Sequence, residues 1–232
     1  GNVLLSVDYS QIELRLAAIL SKDPVLIENF LDNRDIHTET AAKVLDISSS
    51  DVTKEQRSQA KAINFGIIYG LSAHGLSEGT GMNIHESSQF IDRYFSVFSG
   101  LKTYLDFLKD FAHKHQYTET IFSRKRYCPE INSSVYLVRQ AQERAAINFP
   151  FQGSNSDIIK LAISKLANNL PEYQILLQIH DELIFEVKES EVELAIAQIE
   201  ELMVSVLEAE IKLKVDFRYG KTWGDLEDAR TT

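Results

Sequence analysis

The stretch LLSVDYSQIELR, Leu4–Arg15, passes from a buried strand into a helix and carries a carboxylate in each. Apolar and β-branched residues before Asp8 predict a short buried strand, and a helix is predicted from about Gln11 to Leu20. Glu13 lies among the apolar residues of that helix, where an ionised group costs free energy unless it has a partner. The function of the two carboxylates depends on what the rest of the chain brings to them.

The composition indicates an ordinary globular protein. The chain has 232 residues and a single cysteine, Cys128, which excludes a disulfide within the chain and a cysteine-rich metal site. Such cysteine usage is typical of a reducing compartment, so a cytoplasmic location is expected. The sequence shows neither a signal-peptide pattern nor an apolar run of the roughly 18 residues that span a bilayer, so we expect a soluble protein with no membrane partner.

The formal net charge of −10 argues at first against a nucleic-acid partner, because phosphates favour a basic surface. Residues 186–210, however, contain eight glutamates and one lysine, which is most of the excess. Apolar residues recur there at helical spacing, which predicts an amphipathic helix with a solvated acidic face. Basic residues elsewhere remain available for an anion: Arg57, Lys61, Arg124, Lys125, Arg126, Arg139 and Arg144.

Helical periodicity dominates the middle of the chain, and strand-like runs occupy both ends. After a helix that ends near Leu31, helices are predicted at His37–Leu45, Lys54–Tyr69, Ala73–Gly79, His85–Val97, Leu101–Lys114 and Val135–Asn148, with a hairpin or irregular loop at Tyr117–Tyr127. After Pro150 we predict a helix at Asp157–Asn168 and strands at Gln174–His180, Glu182–Val187 and Lys214–Tyr219. This order predicts an α+β fold, an antiparallel-sheet domain with a helical subdomain inserted.

Two aspartates are predicted at the ends of strands. Asp8 ends the first strand, and Asp181 lies at the tight turn of QILLQIHDELIFEV. If these strands share one sheet, both carboxylates lie at one edge, partly desolvated, and divalent cations would neutralise them. Mg²⁺ suits such a site, because it takes one or two carboxylates together with substrate phosphates. The alternative is that Asp181 is only a turn residue.

The segment RSQAKAINFGIIYG, Arg57–Gly70, places cations and aromatic rings on one helix face. Arg57, Lys61, Phe65 and Tyr69 recur every four residues over roughly 18 Å of helix, comparable to a nucleoside triphosphate laid lengthwise. Phosphates would meet the two cations, and sugar and base would meet the two rings. The alternative is a core helix whose aromatic residues face inward and whose cations extend to solvent.

A weaker pattern lies in RQAQERAAINFPFQGSNSD. Arg144, Asn148 and Gln152 recur every four residues, in a helix that Pro150 and Gly153 are expected to distort. Amide side chains on one face can donate to the minor-groove acceptors that all base pairs share. A polar surface without a partner explains the spacing equally well.

Three motifs occur in order along the chain: DYSQIELR from Asp8, RSQAKAINFGIIYG from Arg57 and QIHDE from Gln178. Together with NRDIHTETA and FQGSNSD, they resemble motifs A, B and C and their neighbours in family A, DNA polymerase I-like, DNA polymerases. The resemblance covers essentially the whole chain. It implies a right-hand polymerase fold with a palm at 1–22 and 150–232, fingers at 23–149, and the thumb absent. A missing thumb or N-terminal polymerase segment is therefore an expected partner.

The resemblance also implies a role for each site residue in joining a dNTP to a primer on template DNA. Asp8 and Asp181 would bind two Mg²⁺ ions with the Tyr9 carbonyl, and Glu182 would support them. The remaining assignments are triphosphate binding by Arg57, Lys61 and His37, with Lys61 also protonating the leaving group; sugar selection by Glu13 tied to Tyr69; packing beneath the sugar by Phe65; a further nucleotide contact from Gln11; and DNA contacts from Arg144, Asn148, Gln152 and His180.

Two other functions remain open from the sequence. The chain could be a non-catalytic nucleic-acid-binding or assembly fragment of a larger or split polymerase. A nuclease using the same metal pair is less consistent with the residues, because the cation-aromatic helix has no role in hydrolysis.

Overall fold

A five-stranded antiparallel sheet is formed by both ends of the chain, in the computed structural model, which describes residues 1–229. Its strands are β1 (Asn2–Tyr9), β4 (Gln174–Ile179), β5 (Glu182–Lys188), β6 (Val215–Gly220) and β7 (Glu227–Asp228), in the order β4-β5-β1-β6-β7. A separate hairpin pairs β2 (Tyr117–Glu119) with β3 (Lys125–Tyr127). The predicted mixture of helices with an antiparallel sheet is confirmed, whereas β7 was not predicted.

Strand β1 is central in the sheet and alternates between its two faces. Leu5 and Val7 are fully buried, and Ser6 and Asp8 point to the opposite face, as the two-residue period of a strand requires. Tyr9, also buried, donates its hydroxyl proton to the Met203 carbonyl at 2.8 Å. This face of β1 is therefore fixed firmly, which holds the position of Asp8.

The helices are α1 (Ile12–Ser21), α2 (Pro24–Leu31), α3 (Ile36–Leu45), α4 (Lys54–Ile68), α5 (Ala73–Thr80), α6 (Ile84–Val97), α7 (Ser99–His115), α8 (Tyr136–Asn169) and α9 (Val192–Val204). Helix α9 packs against β5 and β6 with Ala195, Ile199 and Met203 buried, and its glutamates at 193, 200 and 201 are exposed. The acidic amphipathic helix predicted from residues 186–210 is thus present. No helix of residues 1–229 is long and apolar enough to cross a membrane.

The chain divides into two compact units. One unit contains Gly1–Ile12 and residues 155–229, which include the sheet and α9. The other is Glu13–Ser154, which contains α1 from its second residue onward, α2 to α7 and the hairpin.

Helix α8 corrects the sequence prediction of two separate helices around Pro150. It continues from Tyr136 to Asn169 with the proline inside it. Tertiary contacts hold this segment helical although Pro150 cannot donate a backbone hydrogen bond. A Cβ on Gly153 would meet Thr120 Cγ2 at 2.7 Å, and Ser154 Oγ accepts a 3.0 Å hydrogen bond from the backbone N–H of Ile121. Packing against the hairpin therefore overrides the local helix-breaking signal.

Helix α4 begins at a complete capping box. The Thr53 hydroxyl accepts from the Gln56 backbone N–H, and the Gln56 side chain accepts from the Thr53 backbone N–H. Ile63, Asn64 and Ile67 lie on its buried face, and the helix packs against α3. The opposite face of α4 carries Arg57, Lys61 and Phe65, the residues that the sequence analysis identified.

Candidate active site

Three carboxylates form a row across neighbouring strands of the sheet. Asp8 on β1 lies directly opposite Glu182 on β5 and Asp216 on β6. Directly opposed residues of antiparallel strands point to the same face, so the three side chains are neighbours. Like charges in this arrangement repel each other, so the row, called here the carboxylate row, destabilises the sheet unless cations approach it.

Asp181 adds a fourth carboxylate at the turn between β4 and β5. Its backbone carbonyl accepts from the Tyr9 N–H at 3.5 Å, and its negative charge acts directly on Asp8. The structure thus brings Asp8 and Asp181 together at one edge of the sheet, although 173 positions separate them in the chain.

Burial and neighbouring charges both act on the Asp8 carboxyl. Burial, followed by the charges of Asp181, Glu182 and Asp216, raises its pKa to about 6, against a smaller lowering by Arg218. Its Oδ1 atom is buried and has no hydrogen-bond partner within residues 1–229. A desolvated carboxylate oxygen without a donor is costly, and a bound cation would satisfy it.

Glu182 is held by two donors. Its Oε1 accepts from the Ser6 hydroxyl and from Arg218 Nη2, the latter at 3.1 Å. The sequence did not identify Asp216 or Arg218 as site residues. The alternation in VDFRYG places both on one face of β6, but only the register against β1 shows that this face carries Asp8.

Oxygen is the donor type available at this edge. Within residues 1–229 no group of three or more His, Cys, Asp or Glu side chains is arranged to hold a metal ion by itself. Two carboxylates with a neighbouring backbone carbonyl leave coordination positions for water and phosphate, which is how Mg²⁺ is usually bound. Asp8, Asp181 and the Tyr9 carbonyl therefore fit Mg²⁺. The observation that supports the fit is Asp8 Oδ1, which has no hydrogen-bond partner in the described part of the chain.

The cation-aromatic stripe of α4 lies on its solvent side. Arg57 and Lys61 are exposed, Phe65 is half-buried and Tyr69, just after the helix, is 43% exposed. The alternative of a core helix with inward aromatic rings is therefore wrong for Tyr69, whereas the Phe65 ring is partly covered. The buried positions are the ones between, such as Ile63 and Ile67.

Arg57 has a specific partner in another segment of this unit, NRDIHTETA, residues 33–41. Its Nε donates to Asp35 Oδ1 at 3.1 Å and its Nη2 to Asp35 Oδ2 at 2.7 Å. Asp35 also accepts from the Thr38 backbone N–H at 2.7 Å, which caps α3. Burial raises the pKa of Asp35, but the hydrogen bonds from Arg57 and Thr38 prevail and lower it well below its usual range. The pair fixes the guanidinium at the start of α4.

His37 lies beneath this pair and is buried. Its Nδ1 is 3.1 Å from the Asn64 amide nitrogen, and its ring centroid is 5.7 Å from that of Phe65. Burial lowers its pKa to about 4; Asp35 opposes this, and Arg57 and Lys61 add to it. The imidazole is therefore neutral at pH 7. Because an amide N–H faces Nδ1, the proton is assigned to Nε2.

This histidine should make stability depend on pH. The folded-state pKa of about 4 lies below the ordinary 6.5, so His37 contributes stability above pH 6.5 that is lost as pH falls toward 4. The loss in unfolding free energy is at most about 3 kcal/mol. Urea unfolding should show a steeper loss of stability between pH 6.5 and 4 in wild type than in His37→Asn, whose amide oxygen can still accept from Asn64. The exposed His85→Asn variant serves as control, and equal pH dependence in wild type and His37→Asn would contradict the prediction.

Glu13 and Tyr69 are joined directly. The Tyr69 hydroxyl lies 2.9 Å from Glu13 Oε1 and 2.8 Å from Oε2. Glu13 is in the first turn of α1, which begins after Gln11, a residue with a positive φ of 52°. The glutamate that looked anomalous among apolar residues thus has a partner at the end of the cation-aromatic stripe.

The predicted DNA-contacting residues of α8 lie on one continuous helix. Arg144 and Gln152 are exposed, and the buried Nδ2 of Asn148 has no partner within residues 1–229. The aliphatic part of Arg144 lies against Gly70, where a Cβ would be 2.9 Å from Arg144 Cγ and where φ is +71°. His180, in the sheet unit, is exposed at the β4–β5 turn with φ 56°.

Comparison with known proteins gives the class to which this fold and these residues belong. The family model of DNA polymerase family A matches residues 1–225, and the chain belongs to that family. This confirms the resemblance that the three motifs indicated.

Individual relatives include DNA polymerases I of bacteria. The chain is 44% identical over 227 residues to DNA polymerase I of Bacillus subtilis (strain 168), covering 96% of this chain and 26% of that protein. It is 43% identical, with the same coverage, to DNA polymerase I of Geobacillus stearothermophilus. A solved POL domain of Pol1 from M. smegmatis, in complex with DNA primer-template and dNTP, matches with a TM-score of 0.92 at 39% identity, covering 97% of this chain and 40% of that one. The chain thus spans about a quarter of the length of these curated relatives.

Proposed function

We propose that this chain is the core of a template-directed DNA polymerase that transfers a nucleotide from a dNTP to a primer 3′-hydroxyl. The observation that carries the proposal is the buried Oδ1 of Asp8, which lies beside Asp181 and has no hydrogen-bond partner among residues 1–229. Two Mg²⁺ ions bound there would activate the hydroxyl and stabilise the leaving pyrophosphate. Asp8, Asp181 and the Tyr9 carbonyl would hold them, with Glu182 alongside.

The residues of α4 and α3 are assigned to the incoming nucleotide. Arg57 and Lys61 would bind the triphosphate as cations, and Lys61 would also protonate the leaving group. His37, neutral at pH 7, would contribute only an Nε2–H donor. Phe65 would pack beneath the sugar. The Arg57–Asp35 ion pair supports this assignment, since it orients the guanidinium before any phosphate arrives.

Sugar selection and duplex binding complete the proposal. Glu13, held by Tyr69, would crowd the sugar 2′ position, and Gln11 would contact the same nucleotide. Arg144, Asn148 and Gln152 would contact the primer-template, with His180 near the primer terminus. In this scheme 1–22 and 150–232 form the palm and 23–149 the fingers. A cytoplasmic location and a partner segment that supplies a thumb stay predictions.

The test is primer extension. The purified protein is mixed with a 5′-labelled primer on a longer template, Mg²⁺ and four dNTPs, and extension by templated nucleotides is expected. Binding of the same primer-template is measured by fluorescence anisotropy. Binding without extension at any protein concentration would favour the alternative function, a non-catalytic nucleic-acid-binding or assembly fragment of a larger or split polymerase.

A substitution at Phe65 tests the placement of the cation-aromatic stripe. Phe65→Tyr should increase the use of dideoxynucleotides relative to dNTPs by about tenfold. A dideoxynucleotide lacks the 3′-hydroxyl and the hydrogen bond that this group makes, and the tyrosine hydroxyl would supply a hydrogen bond in its place. Chain-termination ratios on one template measure the effect. Tyr94→Phe, which removes a hydroxyl from a ring buried elsewhere in the unit, is the matched control. An unchanged ratio in Phe65→Tyr would mean that Phe65 does not face the sugar.

A further inference from the structure

We propose that Arg218 is a positioning residue that holds Glu182 away from the metal ions and so limits their carboxylate ligands to Asp8 and Asp181. The inference rests on the proposed function, because it concerns the same metal ions. Arg218 would thereby keep coordination positions open for substrate phosphates.

The geometry places Arg218 across the central strand. On the face that carries the carboxylate row, Arg218 lies opposite Ser6, one pair behind Asp8 and its two neighbours. Its guanidinium reaches over β1 to Glu182 Oε1 at 3.1 Å. The Ser6 hydroxyl donates to the same oxygen. Glu182 is thus bound from behind by two donors that belong to a single cross-strand pair, Ser6 and Arg218.

The position of Glu182 in the carboxylate row affects how many coordination positions of a metal ion remain for phosphates. An unrestrained Glu182 beside Asp8 would be a third carboxylate for any cation at this edge. Mg²⁺ commonly takes one or two carboxylates and fills its other positions with water and substrate phosphates. A third carboxylate would bind the metal more tightly and displace water, at the expense of the phosphates. A guanidinium hydrogen-bonded to that carboxylate competes directly with the metal for it.

Mn²⁺ is the probe, since it binds the same oxygen ligands and is paramagnetic. Its affinity for the purified protein, without DNA or nucleotide, is measured from the free Mn²⁺ signal in electron paramagnetic resonance. Arg218→Met, which removes the donors but keeps an unbranched side chain, should bind Mn²⁺ about three- to fivefold more tightly. The water-proton relaxation enhancement should fall, because Glu182 replaces a bound water.

Two further variants separate positioning from a through-space charge effect. Arg218→Lys retains a cation that can pair with Glu182 and should restore the wild-type affinity and relaxation. In a Glu182→Gln background, Arg218→Met should lose most of its effect. Thermal unfolding of each variant monitors the fold; the Arg218 side chain is 46% exposed, so the sheet should tolerate its replacement.

The experiment distinguishes failure of this inference from failure of the proposed function. If wild type binds Mn²⁺ and Asp8→Asn does not, the metal site stands, and an unchanged or weaker affinity in Arg218→Met would overturn the inference alone. A gain that persists in full in the Glu182→Gln background would also overturn it, since Glu182 would then play no part. A wild-type protein without Asp8-dependent Mn²⁺ binding would contradict the proposed function itself.

Discussion

Replacing Asp8 with asparagine should slow primer extension by about a thousandfold or more, the scale on which loss of one main electrostatic contact to a transition state is felt. Asparagine has nearly the same size and keeps one carbonyl oxygen, so the strand pairing is preserved while the charge that holds the cation is lost. Single-nucleotide extension under saturating dNTP and Mg²⁺ measures the rate. The same variant should lose Mn²⁺ binding.

A stability measurement tests whether loss of the fold, rather than loss of the carboxylate, slows the Asp8→Asn variant. Because the pKa of Asp8 is raised to about 6 in the folded protein, its ionised form destabilises the fold as pH rises above the ordinary value near 4. Without metal at pH 8, Asp8→Asn should therefore be at least as stable as wild type. Asp92→Asn, at an exposed position of α6, is the control and should leave extension unchanged. Near-wild-type extension by Asp8→Asn would remove the two-metal proposal.

The sequence was sufficient for the local features of both units. The apolar runs before Asp8 and on each side of Asp181 predicted strands, and the spacing of Arg57 and Lys61 predicted an outward helix face. These features depend on periods of two and four residues, which a linear sequence displays directly. The family resemblance then supplied roles that spacing alone left open.

Long-range features were missed, and each for a physical reason. Arg218 and Asp216 became visible only through the register of β1 against β6, which long-range pairing and burial decide. The pairing of Arg57 with Asp35 joins a residue of α4 to the residue that caps the N-terminus of α3. Pro150 misled the prediction because propensity is local, whereas the contacts of Gly153 and Ser154 with the hairpin are not.

A substitution at Glu13 tests the proposal that this carboxylate of the first motif selects the sugar of the incoming nucleotide. Glu13→Ala should raise ribonucleotide incorporation relative to deoxyribonucleotide on the order of a hundredfold, because a steric block against one hydroxyl is removed. Incorporation of single rNTPs and dNTPs opposite the same template base gives the ratio. Glu55→Ala, an exposed glutamate in the first turn of α4, is the matched control and should not change it.

The hydrogen bond from Tyr69 makes this prediction sharper than a simple truncation. Tyr69→Phe keeps the ring and removes the hydroxyl that holds both Glu13 oxygens, at 2.8 and 2.9 Å. A carboxylate that is present but not held should block the 2′-hydroxyl less well, so the ratio should rise, though less than in Glu13→Ala. Combining the two changes should add little to Glu13→Ala alone, because both act through one carboxylate. Additive effects would show that Tyr69 and Glu13 select the sugar independently, and an unchanged ratio in Glu13→Ala would remove Glu13 from sugar selection.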